Sequence, residues 1–199
     1  MNYYGNVVYF YLKEGTVMRN PKPQEWLADE LSQNYVADYK AFNFVDGEGV
    51  RNSLYVSGCL FACEGCFNQA VQSFRYGKPF TKELEDKIIE DLSHDYVQGL
   101  TLLGGEPFLN TQVCLTVVDR VHKEFGLAKD IWSWSGYTFE ELLLESPDKL
   151  ELLSKIDILV DGRFDISKKK SNAAIPWQLQ STDHRCKKIF SLRSSGHLG

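Results

Sequence analysis

Ser53-Leu54-Tyr55-Val56-Ser57-Gly58-Cys59-Leu60-Phe61-Ala62-Cys63-Glu64-Gly65-Cys66 is the stretch on which the fold turns. It begins as a strand-like apolar run, which Gly58 ends, and continues as three cysteines spaced C-x3-C-x2-C. The other two cysteines, Cys114 and Cys186, are far away in sequence. Three clustered thiols are an odd number for a structural metal. A closed zinc site takes four ligands, whereas a [4Fe-4S] cluster held by three keeps one iron open for chemistry. Thiolates select zinc or iron–sulfur over hard cations. Ordinary small core residues are the plain alternative, but they rarely come in threes within one turn. A zinc module using Cys114 or Cys186 as fourth ligand is the other.

Outward from this stretch the pattern alternates. Downstream, Thr81 is placed to cap a helix with Leu84, Ile88 and Leu92 on one face and Glu83 paired with Lys87 outside. Gly99 to Leu103 reads as a buried strand. Asn110 caps a second helix whose inner stripe is Cys114, Val117, Val118, Val121 and Phe125, with Gly126 as its stop. Cys114 therefore belongs to packing. Ile131 to Trp134 is a third strand, Thr138-Phe139-Glu140-Glu141 a capping box, and Ile156 to Val160 a fourth strand. Pro147 separates the capped helix from a turn carrying Leu150, Leu152 and Leu153. Upstream, Tyr39 to Arg51 reads as a loop holding the Asp46-Gly47-Glu48-Gly49 turn, and Gln24 to Leu31 as a short helix.

Strand and helix alternate with short connections, so the expected fold is α/β, a parallel sheet with outer helices. Four such units are too few for a complete eight-fold barrel, and a partial, open (β/α) barrel is expected. In such sheets ligands sit beyond the carboxyl ends of the strands. Cys59, Gly104-Gly105, Ser135-Gly136 and Asp161-Gly162 each follow one strand, so four loops should converge on one mouth.

The ordered set of motifs goes further. Cys59-x3-Cys63-x2-Cys66 with Gly104-Gly105-Glu106-Pro107 resembles the radical S-adenosylmethionine enzymes. Asp46-Gly47-Glu48-Gly49-Val50-Arg51, Val56-Ser57-Gly58-Cys59, Gly65-Cys66-Phe67-Asn68, Lys129 to Tyr137 and Leu159 to Phe164 together resemble the activating proteins of anaerobic ribonucleoside-triphosphate reductase. The resemblance covers Asp38 to Lys168. It implies an iron–sulfur enzyme in which Cys59, Cys63 and Cys66 hold one [4Fe-4S] cluster. It implies that S-adenosylmethionine chelates the open iron and is split by one electron, giving a 5′-deoxyadenosyl radical. That radical would remove a hydrogen from a glycine of the reductase large subunit, with a low-potential donor such as flavodoxin supplying the electron. Gly104, Gly105 and Glu106 would meet the methionine moiety. At least one of Trp132, Trp134 and Tyr137 at the third strand, with Ser133 or Ser135, is expected to line the cleft. The aromatic residue usual before the third cysteine is here Gly65, and Phe67 follows Cys66 instead. The reductase activators share this swap, so Phe67 or the Gly65 backbone is expected to meet the adenine. An activator of another glycyl-radical enzyme, such as pyruvate formate-lyase, is the nearest alternative; the wording of Trp132 to Tyr137 speaks against it.

Composition sets the outer bounds. The chain has 199 residues, one domain's length, with 43% hydrophobic and 25% charged residues, as in soluble globular proteins. A net charge of −5 argues against binding nucleic acid through phosphate contacts. No apolar run approaches a membrane span, and five cysteines with three in one turn do not form a secreted disulfide framework. No membrane is expected as a partner, and the cytoplasm is the expected compartment. The expected organisation is an N-terminal extension over 1–37, a radical-S-adenosylmethionine-like domain over 38–171, and a tail over 172–199. Residues 1–17 match nothing in the family pattern, and Met18 is a more natural start. After Lys168-Lys169-Lys170 the resemblance stops and a polar, aperiodic tail follows. Codons can be chosen for Asn172 onward so that a one-base shift yields Arg-Gly-Ser-Ser-Asn-Gln and an amphipathic strand, the ending expected of the family. The tail is therefore expected to be a frameshift product or disordered.

Overall fold

The computed structural model describes residues 20–164 and the paired strand 187–188. Among the described residues seven strands form one sheet in the order β3-β1-β2-β4-β5-β6-β7. The expected α/β architecture holds, but the sheet is mixed. Its centre is parallel, as expected: β2 (Val50–Val56), β4 (Val97–Gly104), β5 (Asp130–Trp134) and β6 (Ile158–Val160) run side by side in one direction. Antiparallel strands flank it: β1 (Tyr35–Asn43) and β3 (Lys78–Pro79) on one side, β7 (Lys187–Lys188) on the other.

The expectation of a loop from Tyr39 to Arg51 is corrected by β1 and β2. Only Val36 of β1 is buried, and Asp38, Lys40 and Phe42 are exposed along an otherwise half-covered strand. Such a strand lacks the apolar run that marks a central one. A turn does stand at Asp46–Gly49, with Gly47 at φ +146° and Gly49 at φ +74°. The expected helix over Gln24–Leu31 shrinks to α1 (Ala28–Leu31).

The helices lie where periodicity puts them. In α2 (Lys82–Leu92) the Thr81 hydroxyl accepts from the Leu84 N–H at 3.3 Å. Lys87 pairs with Asp91 at 3.0 Å, not with Glu83. The charge spacing i, i+4 points both ways along a helix, and Asp91 lies on the next turn. Helix α3 (Thr111–Phe125) buries Val113, Cys114, Val117, Val118 and Val121, and stops at Gly126 with φ +58°. Asn110 is its N-cap residue, but the side chain makes no capping bond. Its Nδ2 donates instead to the Tyr35 carbonyl at 2.9 Å, tying the helix start to β1. The capping box at Thr138–Glu141 is present and opens α4 (Phe139–Leu142). What reads as a turn after Pro147 is α5 (Pro147–Lys155), with proline in its first turn where no N–H is missed.

Strand alternation divides the residues into two faces. Leu54, Val56, Leu100, Leu102, Ile131 and Leu159 join the helices in one buried core. The opposite face carries Arg51, Ser53, Tyr55, Thr101 and Trp132, and the loop after β1 folds over it. Asp46 accepts from Tyr55 Oη at 2.5 Å and from Asn43 Nδ2 at 2.6 Å, while its carbonyl accepts from Thr101 Oγ1 at 2.9 Å. Arg51 is buried beneath: Nε donates to Thr101 Oγ1 at 2.8 Å, and the guanidinium pairs with Asp130 at 2.6 Å and stacks on Trp132. Among the described residues no helix is long and apolar enough to cross a membrane. The expectations for residues 1–17 and for the tail lie outside the described residues, apart from the pairing of β7 with β6.

Candidate iron–sulfur and cofactor site

The four loops expected at one end of the sheet do meet, and backbone hydrogen bonds join them. The Gly105 N–H donates to the Val56 carbonyl and the Glu106 N–H to the Gly58 carbonyl, both at 2.8 Å. These bonds fasten the loop after β4 to the start of the cysteine loop. The Ser135 N–H donates to Val160 O, and the Gly162 N–H to Tyr137 O, each at 2.9 Å, linking the loops after β5 and β6. Asp161 adds a third bond between these two loops by accepting from the Phe139 N–H at 2.8 Å.

Gly104 and Gly105 are glycines for a reason the sequence does not show. A Cβ on Gly104 would come within 2.7 Å of the Val56 carbonyl oxygen, at a φ of +108°. One on Gly105 would meet the Gly58 carbonyl at 2.5 Å. The pair lets the ends of β2 and β4 touch, which is what brings the cysteine loop against the loop after β4. Gly105→Ala is expected to force these strand ends apart and to lower unfolding stability by roughly 2–4 kcal/mol, measurable by denaturant titration.

Cys59, Cys63 and Cys66 are free thiols, each partly exposed, along the loop after β2. The Cys66 N–H donates to the Cys63 carbonyl at 3.2 Å, and Ala62 takes a left-handed φ of +52°, so the chain doubles back between the first two cysteines and the third. Burial pushes the Cys59 thiol up strongly, and the carboxylate of Glu106 and the other two thiols push it further. Burial raises Cys63 as well, partly offset by a backbone N–H from Phe164 and the charge of Arg163. Among the described residues no three His, Cys, Asp or Glu side chains are grouped so that they could hold a metal ion. What the loop supplies is the donor set: three soft sulfurs in electrostatic reach of one another, with backbone N–H groups of Phe61 and Phe164 turned to two of them. That set suits an anionic thiolate cluster, whose charge is balanced by hydrogen bonds to sulfur and nearby cations. Cys114 is buried in α3 as packing and adds no fourth ligand. Cys186 lies outside the described residues.

The expected cofactor residues divide. Gly65 has φ +71° beside Cys66, and Phe67 is 55% exposed at the mouth, edge-on to Phe164 at 4.9 Å. Glu106 is only 1% exposed. Its Oε1 accepts from the Phe108 N–H at 3.1 Å and from Ser135 Oγ at 2.8 Å, and its Oε2 accepts from the Gly136 N–H at 2.7 Å. It thus braces the loop after β5 against the loop after β4. Burial raises its carboxyl to about 7 despite these donors. Ser135 is engaged in the same brace. Ser133 is fully buried on the helix side of β5, in register with Leu102 and Leu159, so the fold does not bring it to the mouth.

Arg163, quoted in its motif without a role, is the residue that sequence reasoning missed. Its guanidinium lies 4.6 Å from the Phe61 ring centroid and pairs with Glu141. Its buried Nε and Nη2 have no hydrogen-bond partner among the described residues. Two unfilled donors beside Cys63 are what an anionic group at this mouth would use.

Residues 45–183 match the family model described as "4Fe-4S single cluster domain". An anaerobic ribonucleoside-triphosphate reductase-activating protein of Pasteurella multocida is 41% identical over 149 residues, 73% of this chain and 91% of that protein. The chain belongs to this activating-protein family. A member from Salmonella typhi is 42% identical over 130 residues, 63% of this chain and 82% of its own. The member from Enterobacteria phage T4 is 39% identical over 125 residues, 62% of this chain and 76% of its own. The matched range includes the whole cysteine loop.

Proposed function

We propose that this chain is the enzyme that activates an anaerobic ribonucleoside-triphosphate reductase, by forming a glycyl radical on it through reductive cleavage of S-adenosylmethionine. The observation that carries the reading is the Cys59-x3-Cys63-x2-Cys66 loop at a mouth ringed by the loops after β2, β4, β5 and β6. In this reading the sheet and its outer helices form the partial, open (β/α) barrel of the radical S-adenosylmethionine enzymes. When bound, one [4Fe-4S] cluster and S-adenosylmethionine supply a one-electron bond cleavage yielding an organic radical able to take hydrogen from a glycine.

The chain's own part is positioning. Cys59, Cys63 and Cys66 hold the cluster by three thiolates. The backbone at Gly65, Gly104 and Gly105 and the ring of Phe67 border the space for S-adenosylmethionine. Glu106, bonded to Ser135 and Gly136, keeps the loops after β4 and β5 at fixed separation. Arg163 places a cation beside Cys63 and offers its two free donors to an anion. A low-potential donor such as flavodoxin supplies the electron, and the cytoplasm is the site of action.

The test is anaerobic incubation of the purified protein with a reductant, S-adenosylmethionine and the reductase. A glycyl radical seen by paramagnetic resonance, together with iron and sulfide in the protein, is the expected result. Zinc in place of iron, or no radical with a cluster present, overturns it.

A further inference from the structure

Between Cys59 and Cys66 one side chain is fully buried, that of Phe61. Its ring is the loop's anchor in the core. Trp26 stands edge-on to it at 5.1 Å and Tyr137 edge-on at 4.9 Å. The backbone of Gly136 closes the box so tightly that a Cβ there would meet the ring at 2.4 Å. Trp26 comes from the segment ahead of α1, remote in sequence from the cysteines. What fixes that segment is Lys149 of α5, which has no exposed surface. Its Nζ donates to the Trp26 carbonyl at 2.6 Å and to Tyr137 Oη at 3.1 Å, and pairs with Glu145 at 2.7 Å.

We infer that the Trp26 segment, held by Lys149, is a positioning clamp for the cysteine turn: it presses on Phe61 and thereby fixes where Cys59 and Cys63 stand. A buried lysine bonded to a main-chain carbonyl holds a segment far more firmly than surface charges do, because losing the contact strands a charge away from water. Aromatic edges give the contact a defined angle, so the loop is held in orientation as well as in depth. Phe61 and Trp26 touch no reacting group; they act through the cysteines on either side of Phe61. The clamp rests on the reading of this loop as the cluster site.

The test uses the full chain with its cluster assembled anaerobically, and reads the rate of iron loss to a chelator and the paramagnetic signal of the reduced cluster. Trp26→Ala is expected to release iron about tenfold faster than the parent protein and to alter that signal, the range seen when groups supporting metal ligands are lost. Trp26→Phe should stay within about twofold of the parent, since an aromatic edge remains. The double change Lys149→Met with Glu145→Gln removes the anchor without leaving an orphan charge, keeps the buried stem, and should match Trp26→Ala. Val118→Ala in α3, which weakens the core on the helix side, serves as the control for general destabilisation. Parent-like iron release and signal in Trp26→Ala or in the double variant would overturn the clamp, as would equal acceleration by Val118→Ala. A parent protein that takes up no iron and sulfide would instead remove the reading of the loop itself, and the clamp with it.

Discussion

Replacing Cys59, Cys63 or Cys66 by alanine is expected to reduce iron and sulfide uptake to background and to abolish radical formation on the reductase. Three thiolates are the least that can hold a [4Fe-4S] cluster while one iron stays open, so losing any one leaves too few. Cys114 does not stand in, because its sulfur is fully buried in α3. Cys114→Ala is the contrasting case. That sulfur is buried in the helix-side core, so the change should lower stability by about 1 kcal/mol through lost packing and leave the cluster intact. Iron and sulfide analysis of the four variants, beside their chemical unfolding curves, separates ligand from filler.

Glu106→Ala is expected to have the largest effect on stability outside the core. It leaves the N–H groups of Phe108 and Gly136 and the hydroxyl of Ser135 without their acceptor in a site closed to water. A loss of about 3 kcal/mol or more follows from three stranded donors. A pH signature accompanies it. The folded protein holds the Glu106 proton up to about 7, whereas the unfolded chain releases it near the ordinary value of 4.5. The folded state therefore binds more protons between these two values, and this group's contribution to stability falls as pH rises through that window, then levels off above it. The span corresponds to about 3 kcal/mol. Denaturant titrations from pH 4.5 to 8 should show this decline in the parent protein and lose it in Glu106→Gln. An unchanged slope in that variant would show that Glu106 is not the titrating group.

The parallel centre of the sheet was legible because its strands are buried on the helix side and follow one another at regular spacing. Leu54, Leu100, Leu102, Ile131 and Leu159 all fall where the apolar runs put them. Strand β1 was not legible: Asp38, Lys40 and Asn43 are polar, and only pairing with β2 makes them a strand. In the site, the cysteine spacing pointed to one loop, and the structure sets that loop after β2 beside the loop after β4. The partners of Glu106, Lys149 and Arg163 were hidden for a common physical reason. A charged residue reads as surface in sequence, and only tertiary contacts show which ones are enclosed. Likewise the adjacent pair Gly104-Gly105 advertises a bare backbone but not what lies against it, which proves to be the end of β2.

The two ends of the strand order differ from its centre in what they offer a neighbouring chain. One margin is the dipeptide Lys78-Pro79, which covers only the start of β1; on the other, Lys187-Lys188 are the residues described. Proline at the first border removes a backbone donor there, while β1 beyond Val36 has no strand partner on that side among the described residues. That stretch is guarded instead by the exposed charges of Asp38 and Lys40 and by the irregular pairing between Lys40 and Asn43, which disfavour the addition of a further ribbon.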